Sequence, residues 1–224
     1  SQTATGTEQQ FTDEEQIALV QAAHAMGRKV AAHAHGKAGM MAALRAGVDS
    51  IEHGSYLDAE VAELFVQTGA YLVPTLIAGH TVERIATEQP DFFVPAVRQK
   101  ALEVGPIMRN ALRIAHERGV KIAYGTDAGV NDHGTNAYEA VLMNEAGMPA
   151  REILIAATVN AADLMGLADV TGTIEVGKGA DIIAVSSSPL EDLATLLQPT
   201  FVMARGNEVD LDVPTVDLFP WPNF

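Results

Sequence analysis

Cysteine is absent from the 224 residues, which excludes disulfide staples and thiolate metal centres and leaves His, Asp and Glu to do any metal work. Cations are scarce. The 14 Lys and Arg stand against 29 Asp and Glu, a formal charge of −15. Nucleic acid and anionic membrane surfaces are therefore excluded as partners, because binding phosphate needs clustered positive charge. Long apolar runs are missing too: Gly or a charge interrupts each one well short of the roughly 20 residues a membrane span requires, so no transmembrane segment is expected. The opening SQTATGTEQQ has neither an initiator Met nor the basic-then-apolar pattern of a signal peptide, the mark of a processed, trimmed or partial chain. What is there suits a buried core, with 48 % of residues apolar.

A pattern of helix, Gly and strand recurs four times. Thr12 with Glu15 three residues later forms a capping box, Ile17, Val20, Ala23 and His24 follow at helical spacing, and Gly27 stops the helix. The run 29–33 is too short for a helix and suits a buried strand. Helix 37–46, Gly47 and strand 49–53 form the second unit, and helix 58–67, Gly69 and strand 71–75 the third. A long connection carrying Pro90, Pro95 and Pro106, expected to hold several helical pieces, precedes helix 107–118, Gly119 and strand 121–126. Helices alternating with short, non-alternating apolar strands predict a parallel sheet covered by helices. Two more helical stretches, 137–146 and 150–165 with Pro149 as first helical residue, lead to a change of texture. Beyond a boundary at 166–172, segments 173–176, 181–185, 201–204 and 208–211 flank Gly177, Gly179, Gly206 and Asn207 as hairpin signals. The chain divides accordingly into a barrel portion, 1–168, and a small β element with a tail, 169–224.

Chemistry-bearing residues collect where the strands stop: His33 in VAAHAHG, His53 in SIEHG and Asp127 in IAYGTDAG. In a barrel of alternating strands and helices, the carboxyl ends of the strands hold the functional groups. An open doubly wound sheet shares the element order but announces itself through a Gly-rich phosphate loop, and none is found. Imidazole and carboxylate are ligands for a hydrolytic divalent metal. Each also has a plainer use: a lone strand-end His closes a structural hydrogen bond, and Asp in TDAG serves as a turn or cap residue. His35, Tyr56, Thr75 and His133 are the candidate substrate contacts. Met40 and Met41 are expected in the core, and His24, His80 and His116 in packing or surface roles.

The motifs VAAHAHG, GVDSIEHG, LVPTL, GVKIAYGTDAG with HGTN close behind, ATVNAADLMGL and GTIEVGKGADIIAV together resemble the C-terminal half of the amidohydrolase superfamily. The similarity is to the branch of imidazolonepropionase-like proteins and metal-dependent Xaa-Pro dipeptidases. It implies an α/β fold, a (β/α)8 TIM barrel of which this chain holds strands five to eight, with part of a small β-sandwich. His33 and His53 would then ligate one metal, and Asp127 would be the acid at the other. Two divalent ions, taken as zinc, and amide hydrolysis by a metal-bound hydroxide with Asp127 as proton shuttle are further implications.

The same resemblance exposes a departure. A strand-one His-x-His pair and a bridging carboxylated lysine are expected, yet His33-Ala34-His35 fits strand five, and Lys29 and Lys37 merely flank that strand. The family's strand four would end just before Ser1, so an N-terminal half is expected to be missing. The implied substrate is a dipeptide such as Xaa-Pro or an N-acyl amino acid, the implied assembly a homo-oligomer. A cyclic amidase of imidazolonepropionase type is the alternative, and a catalytically incomplete half-barrel acting only in assembly or binding is the alternative of another class.

Overall fold

A computed structural model describes residues 7–212. Its first helix, α1 (Asp13–Ala25), starts on the expected capping box: the Thr12 hydroxyl accepts from the Glu15 amide at 3.2 Å, and the Glu15 carboxylate accepts from the Thr12 amide at 2.9 Å. Strand β1 (Ala31–Ala34), α2 (Lys37–Ala46), β2 (Ser50–His53), α3 (Ala59–Thr68) and β3 (Tyr71–Val73) follow. Gly47 and Gly69 end α2 and α3 in the left-handed conformation, which costs glycine nothing. After β3 come α4 (Leu76–Glu88), α5 (Pro95–Glu117) and β4 (Lys121–Ile122). The four strands form one parallel sheet in the order β1-β2-β3-β4.

The register shows which way the strands face. Ala32 lies beside Ile51, Ile51 beside Leu72 and Leu72 beside Ile122. Ile51 and Leu72 are buried with Met40, Leu44, Val61 and Phe65 of α2 and α3, each such side chain contributing about 1.5–3 kcal/mol of burial. Met41 is buried as well. A second core, built from α4, α5, α6 (Tyr138–Glu145) and α7 (Ala150–Ile155), takes in Ile77, Met108, Leu112, Ile122, Met143 and Ile153. The opposite face of the sheet carries His33 beside Glu52.

Three elements depart from the sequence expectations. Pro106 does not begin a new helix; α5 runs unbroken from Pro95 at its first turn through Pro106. Its buried residues Ala101, Gly105, Met108, Leu112 and Ala115 hold it against its neighbours, while Pro106 lies on the exposed side of the helix. The helix expected over 150–165 is interrupted: Pro149 is its N-cap, and a π turn (Ala156–Asn160) joins α7 to α8 (Ala161–Met165). This turn closes the outer edge of β4. Ala123 donates to Leu72 of β3, so the groups at 122 and 124 point away from the sheet; the Tyr124 amide donates to the Ala156 carbonyl at 3.1 Å, and Asn160 Nδ2 donates to the Ile122 carbonyl at 2.8 Å.

The third departure is in the C-terminal element. Strands β5 (Ile182–Ala184), β6 (Phe201–Ala204) and β7 (Asn207–Glu208) form an antiparallel sheet, with β6 and β7 joined by the left-handed pair Arg205 and Gly206. A 3-10 helix (Leu193–Leu197) precedes β6, and its Leu193 is buried in the second core. Residues 173–176 form no strand: Ile174 and Val176 are fully outward and have no strand partner among the described residues. The last part of the expected β element and tail, 213–224, lies outside the described residues.

Candidate metal centre

His33, His35 and His53 meet at the carboxyl ends of β1 and β2. Their ligand nitrogens all lie within 4.8 Å of one another, and the ring centroids are 4.6 Å apart for His33 and His53 and 4.7 Å for His33 and His35. Strand alternation alone would not achieve this. His53 is registered against Ala34, which packs on the helix-side core, so a regular strand would send the two histidines to opposite faces. The backbone of His53 has φ 72°, a left-handed conformation rare for a residue with a Cβ, and it turns the ring toward His33. Thr75 (φ 48°) and Asp127 (φ 51°) have the same strained conformation after β3 and β4. Among the described non-glycine residues, the only other one is the hairpin residue Arg205. Strain of this kind costs about 1–3 kcal/mol per residue and concentrates at functional sites.

Hydroxyl groups hold two of the rings. His53 Nδ1 is 2.7 Å from Thr75 Oγ1, and His35 Nδ1 is 2.7 Å from Ser55 Oγ. When Nδ1–H donates to the hydroxyl oxygen, the opposite nitrogen, Nε2, is left with a lone pair that could meet a metal, an outer-shell bond of the kind that orients metal-binding histidine. Burial, reinforced by the adjacent rings, lowers both His35 and His53 to a pKa of about 4. Neutral imidazole is the form a metal requires. Three imidazoles with a carboxylate nearby are a donor set suited to a divalent cation, and this His group could hold one.

The triad lies on a cavity of about 450 Å³ that Asp127, Tyr56 and the α4–α5 pair also line. Of the sequence candidates, His33, His35, His53, Tyr56 and Asp127 thus share one space. Thr75 does not: it is 2 % exposed, behind His53, and outside the cavity lining. His133 is exposed in the loop beyond Asp127 and is likewise not among the lining residues. Lys29 donates to the Asp163 carbonyl and Lys37 pairs with Asp58 and Glu60 at 2.6 Å, so both lysines are engaged away from the cavity. His24 and His116 pair with Asp49 and Glu152, and His80 packs edge-on against Tyr138.

One residue of this region escaped the sequence reading. Glu139 of α6 is completely buried, and its two carboxylate oxygens accept from the amides of Leu76 at 2.8 Å and Ile77 at 2.6 Å. These are donors at the start of α4 that no helical carbonyl can reach. Burial pushes the Glu139 pKa up to about 8, against the pull of the two amides. A signal was available: Glu139 shares a helix face with Leu142 and Met143, an apolar stripe in which a charge is out of place.

The fold is a parallel α/β sheet with a histidine cluster at its strand ends, and comparison with known proteins specifies the family. The amidohydrolase family profile matches residues 1–210, and the chain belongs to that family. It is 37 % identical to ochratoxinase of Aspergillus niger over 195 residues, 86 % of this chain and 40 % of that protein. A stretch of 97 residues, 41 % of the chain, is 35 % identical to imidazolonepropionase of Thermoplasma acidophilum, of which it covers 23 %. Among solved structures, a Xaa-Pro dipeptidase with bound methionine in the active site superposes with a TM-score of 0.87 and 46 % identity, over 92 % of this chain and 51 % of that one. The chain spans about half the length of these relatives or less. Its four parallel strands are accordingly part of an amidohydrolase TIM barrel.

Proposed function

We propose that the protein carrying this chain is a binuclear metal-dependent hydrolase that cleaves the amide bond of a dipeptide such as Xaa-Pro, or of an N-acyl amino acid. The observation that carries the proposal is the convergence of His33, His53 and Asp127, from three strand ends, on one cavity with an apolar wall. The Xaa-Pro dipeptidase likeness and the ochratoxinase likeness support it. His33 and His53 would hold one divalent ion and Asp127 the second, with zinc the choice that suits imidazole and carboxylate without cysteine. Bound there, such ions polarise a carbonyl and lower the pKa of water. The Asp127 carboxylate accepts the proton of the attacking water and delivers it to the departing nitrogen, so that the C–N bond breaks to a carboxylate and an amine. His35, hydrogen-bonded to Ser55, and Tyr56 would contact the substrate, a reading supported by their sharing the cavity lining. The same proposal divides the chain into barrel, 1–168, and β element, 169–224.

Metal analysis and turnover test it together. Full-length protein is expected to hold about two divalent ions per chain, to hydrolyse a Xaa-Pro dipeptide, and to lose that activity on chelation. Asp127→Asn is expected to cut kcat by about 10²–10⁴-fold, with the ion at His33 and His53 retained. Purified protein that binds no divalent ion and hydrolyses no amide would overturn the proposal.

A further inference from the structure

Thr75 stands at the N-cap of α4 without performing the usual task of a residue there. A threonine in that position ordinarily has an extended backbone and turns its hydroxyl onto an amide of the first helical turn. Thr75 is left-handed, at φ 48°, makes no side-chain cap bond, and has its hydroxyl 2.7 Å from His53 Nδ1. The first amides of α4 are served from another helix instead. Oε1 of Glu139 accepts from Leu76 at 2.8 Å and Oε2 from Ile77 at 2.6 Å, so a carboxylate 63 positions beyond Leu76 caps the helix in place of the adjacent threonine.

As a plain helix cap this arrangement is costly. Burying a carboxylate completely is unfavourable, whereas an N-cap hydroxyl can serve a first-turn amide without burying a charge. What the distant cap achieves is to leave the Thr75 hydroxyl for the imidazole. Glu139 also sits on a helix fastened to the exit of β4: the Tyr124 hydroxyl donates to the Asn136 carbonyl at 2.6 Å and accepts from the Ala140 amide at 3.1 Å. Tyr124 precedes Asp127 by three residues. The start of α6 is thus bonded on one side to the segment that leads to Asp127 and on the other to the residues that follow Thr75.

We infer that Glu139 is a positioning residue of the metal centre: by capping α4 from α6, it holds Thr75 in the conformation that keeps its hydroxyl on His53. Glu139 is not among the residues lining the histidine cavity, so it acts through Thr75 and not on ion or substrate directly. The inference rests on the metal-hydrolase proposal and adds to it a residue from outside the site.

The test is the zinc affinity of metal-stripped full-length protein, measured by competition with a chelator under conditions where every variant is folded. Glu139→Gln is expected to weaken binding by about 10-fold, within the range for loss of an outer-shell partner. Glu139→Asp, whose carboxylate is withdrawn by one methylene, is expected to do the same and provides a second probe. Coupling identifies the route: in a Thr75→Val background, Glu139→Gln is expected to change zinc affinity by less than about twofold, because the hydroxyl it positions is already gone. Phe65→Leu, in the other core, is expected to lower stability and leave zinc affinity unchanged. Glu139→Gln and Glu139→Asp proteins that bind zinc as tightly as wild type overturn the role of Glu139 and leave the metal-hydrolase proposal standing. Full additivity of Glu139→Gln with Thr75→Val overturns that role too, as does an equal loss of affinity in Phe65→Leu, which would reduce Glu139 to general stability. Wild-type protein that binds no divalent ion removes the metal-hydrolase proposal, and this one with it.

Discussion

Nδ1 of His53 and the hydroxyl of Thr75 lie 2.7 Å apart, joining the ends of two neighbouring parallel strands. Both residues have a left-handed backbone, His53 at φ 72° and Thr75 at φ 48°. The bond fixes the orientation of the ring, which lies 4.6 Å centroid to centroid from that of His33, and it makes Thr75 a positioning residue for the proposed metal ligand.

Thr75→Val is therefore expected to weaken divalent metal binding in the full-length protein by about 10- to 100-fold, the usual cost of removing a second-sphere partner. Valine keeps the β-branch, so the backbone strain is unchanged and the missing hydroxyl is isolated. Thr75→Ser should retain most of the affinity. Competition with a chelator of known affinity measures both variants; a Val variant that holds metal as tightly as wild type contradicts the assignment.

The lowered pKa values of His35 and His53 give a pH dependence with a definite sign. An unfolded chain protonates each ring near the ordinary value of 6.5, whereas the folded protein resists until about 4. Between these values the unfolded state binds more protons, so stability falls as pH falls. Metal-free protein should keep this contribution in full above pH 6.5 and lose it progressively toward pH 4. Unfolding midpoints measured across pH 4–8 check this, and His35→Gln and His53→Gln should each flatten the curve. A slope unchanged in both variants would show that the rings do not contribute.

Glu139 provides a stability prediction. With both oxygens bonded to amides at the start of α4 and no exposed surface, Glu139→Ala leaves two donors unsatisfied and a cavity, a loss of about 3–5 kcal/mol. Glu139→Gln keeps the volume and one acceptor but turns an NH2 group toward an amide, and should cost about 1–3 kcal/mol. Denaturant unfolding measures both. An Ala variant within about 1 kcal/mol of wild type would mean that the start of α4 is secured in some other way.

Local signals were legible wherever a few adjacent residues decide the outcome. The Thr12–Glu15 capping box, the stops at Gly47 and Gly69, and the apolar runs ending at His33 and His53 need no distant partner, and each appears in the structure. Where distant segments meet, the sequence was silent or misleading. Pro106 signals a break, but packing along the buried side of α5 carries the helix through it. The segment 150–165 shows helical periodicity, and only the unpaired edge of β4 explains why the helix widens at Ala156–Asn160 to meet it.

The sequence by itself determined the alternation of helix and strand, the chemical identity of the groups at the strand ends and, through its motifs, the family. Tertiary structure alone decided the side of the sheet on which His53 emerges, the bonding of Thr75 to that ring rather than its entry into the cavity, and the burial of Glu139 against α4. The physical reason is the same in each case. Strand register and helix packing bring together residues 22 to 63 positions apart, and the conformational strain at His53, Thr75 and Asp127 persists only because the surrounding structure holds it in place.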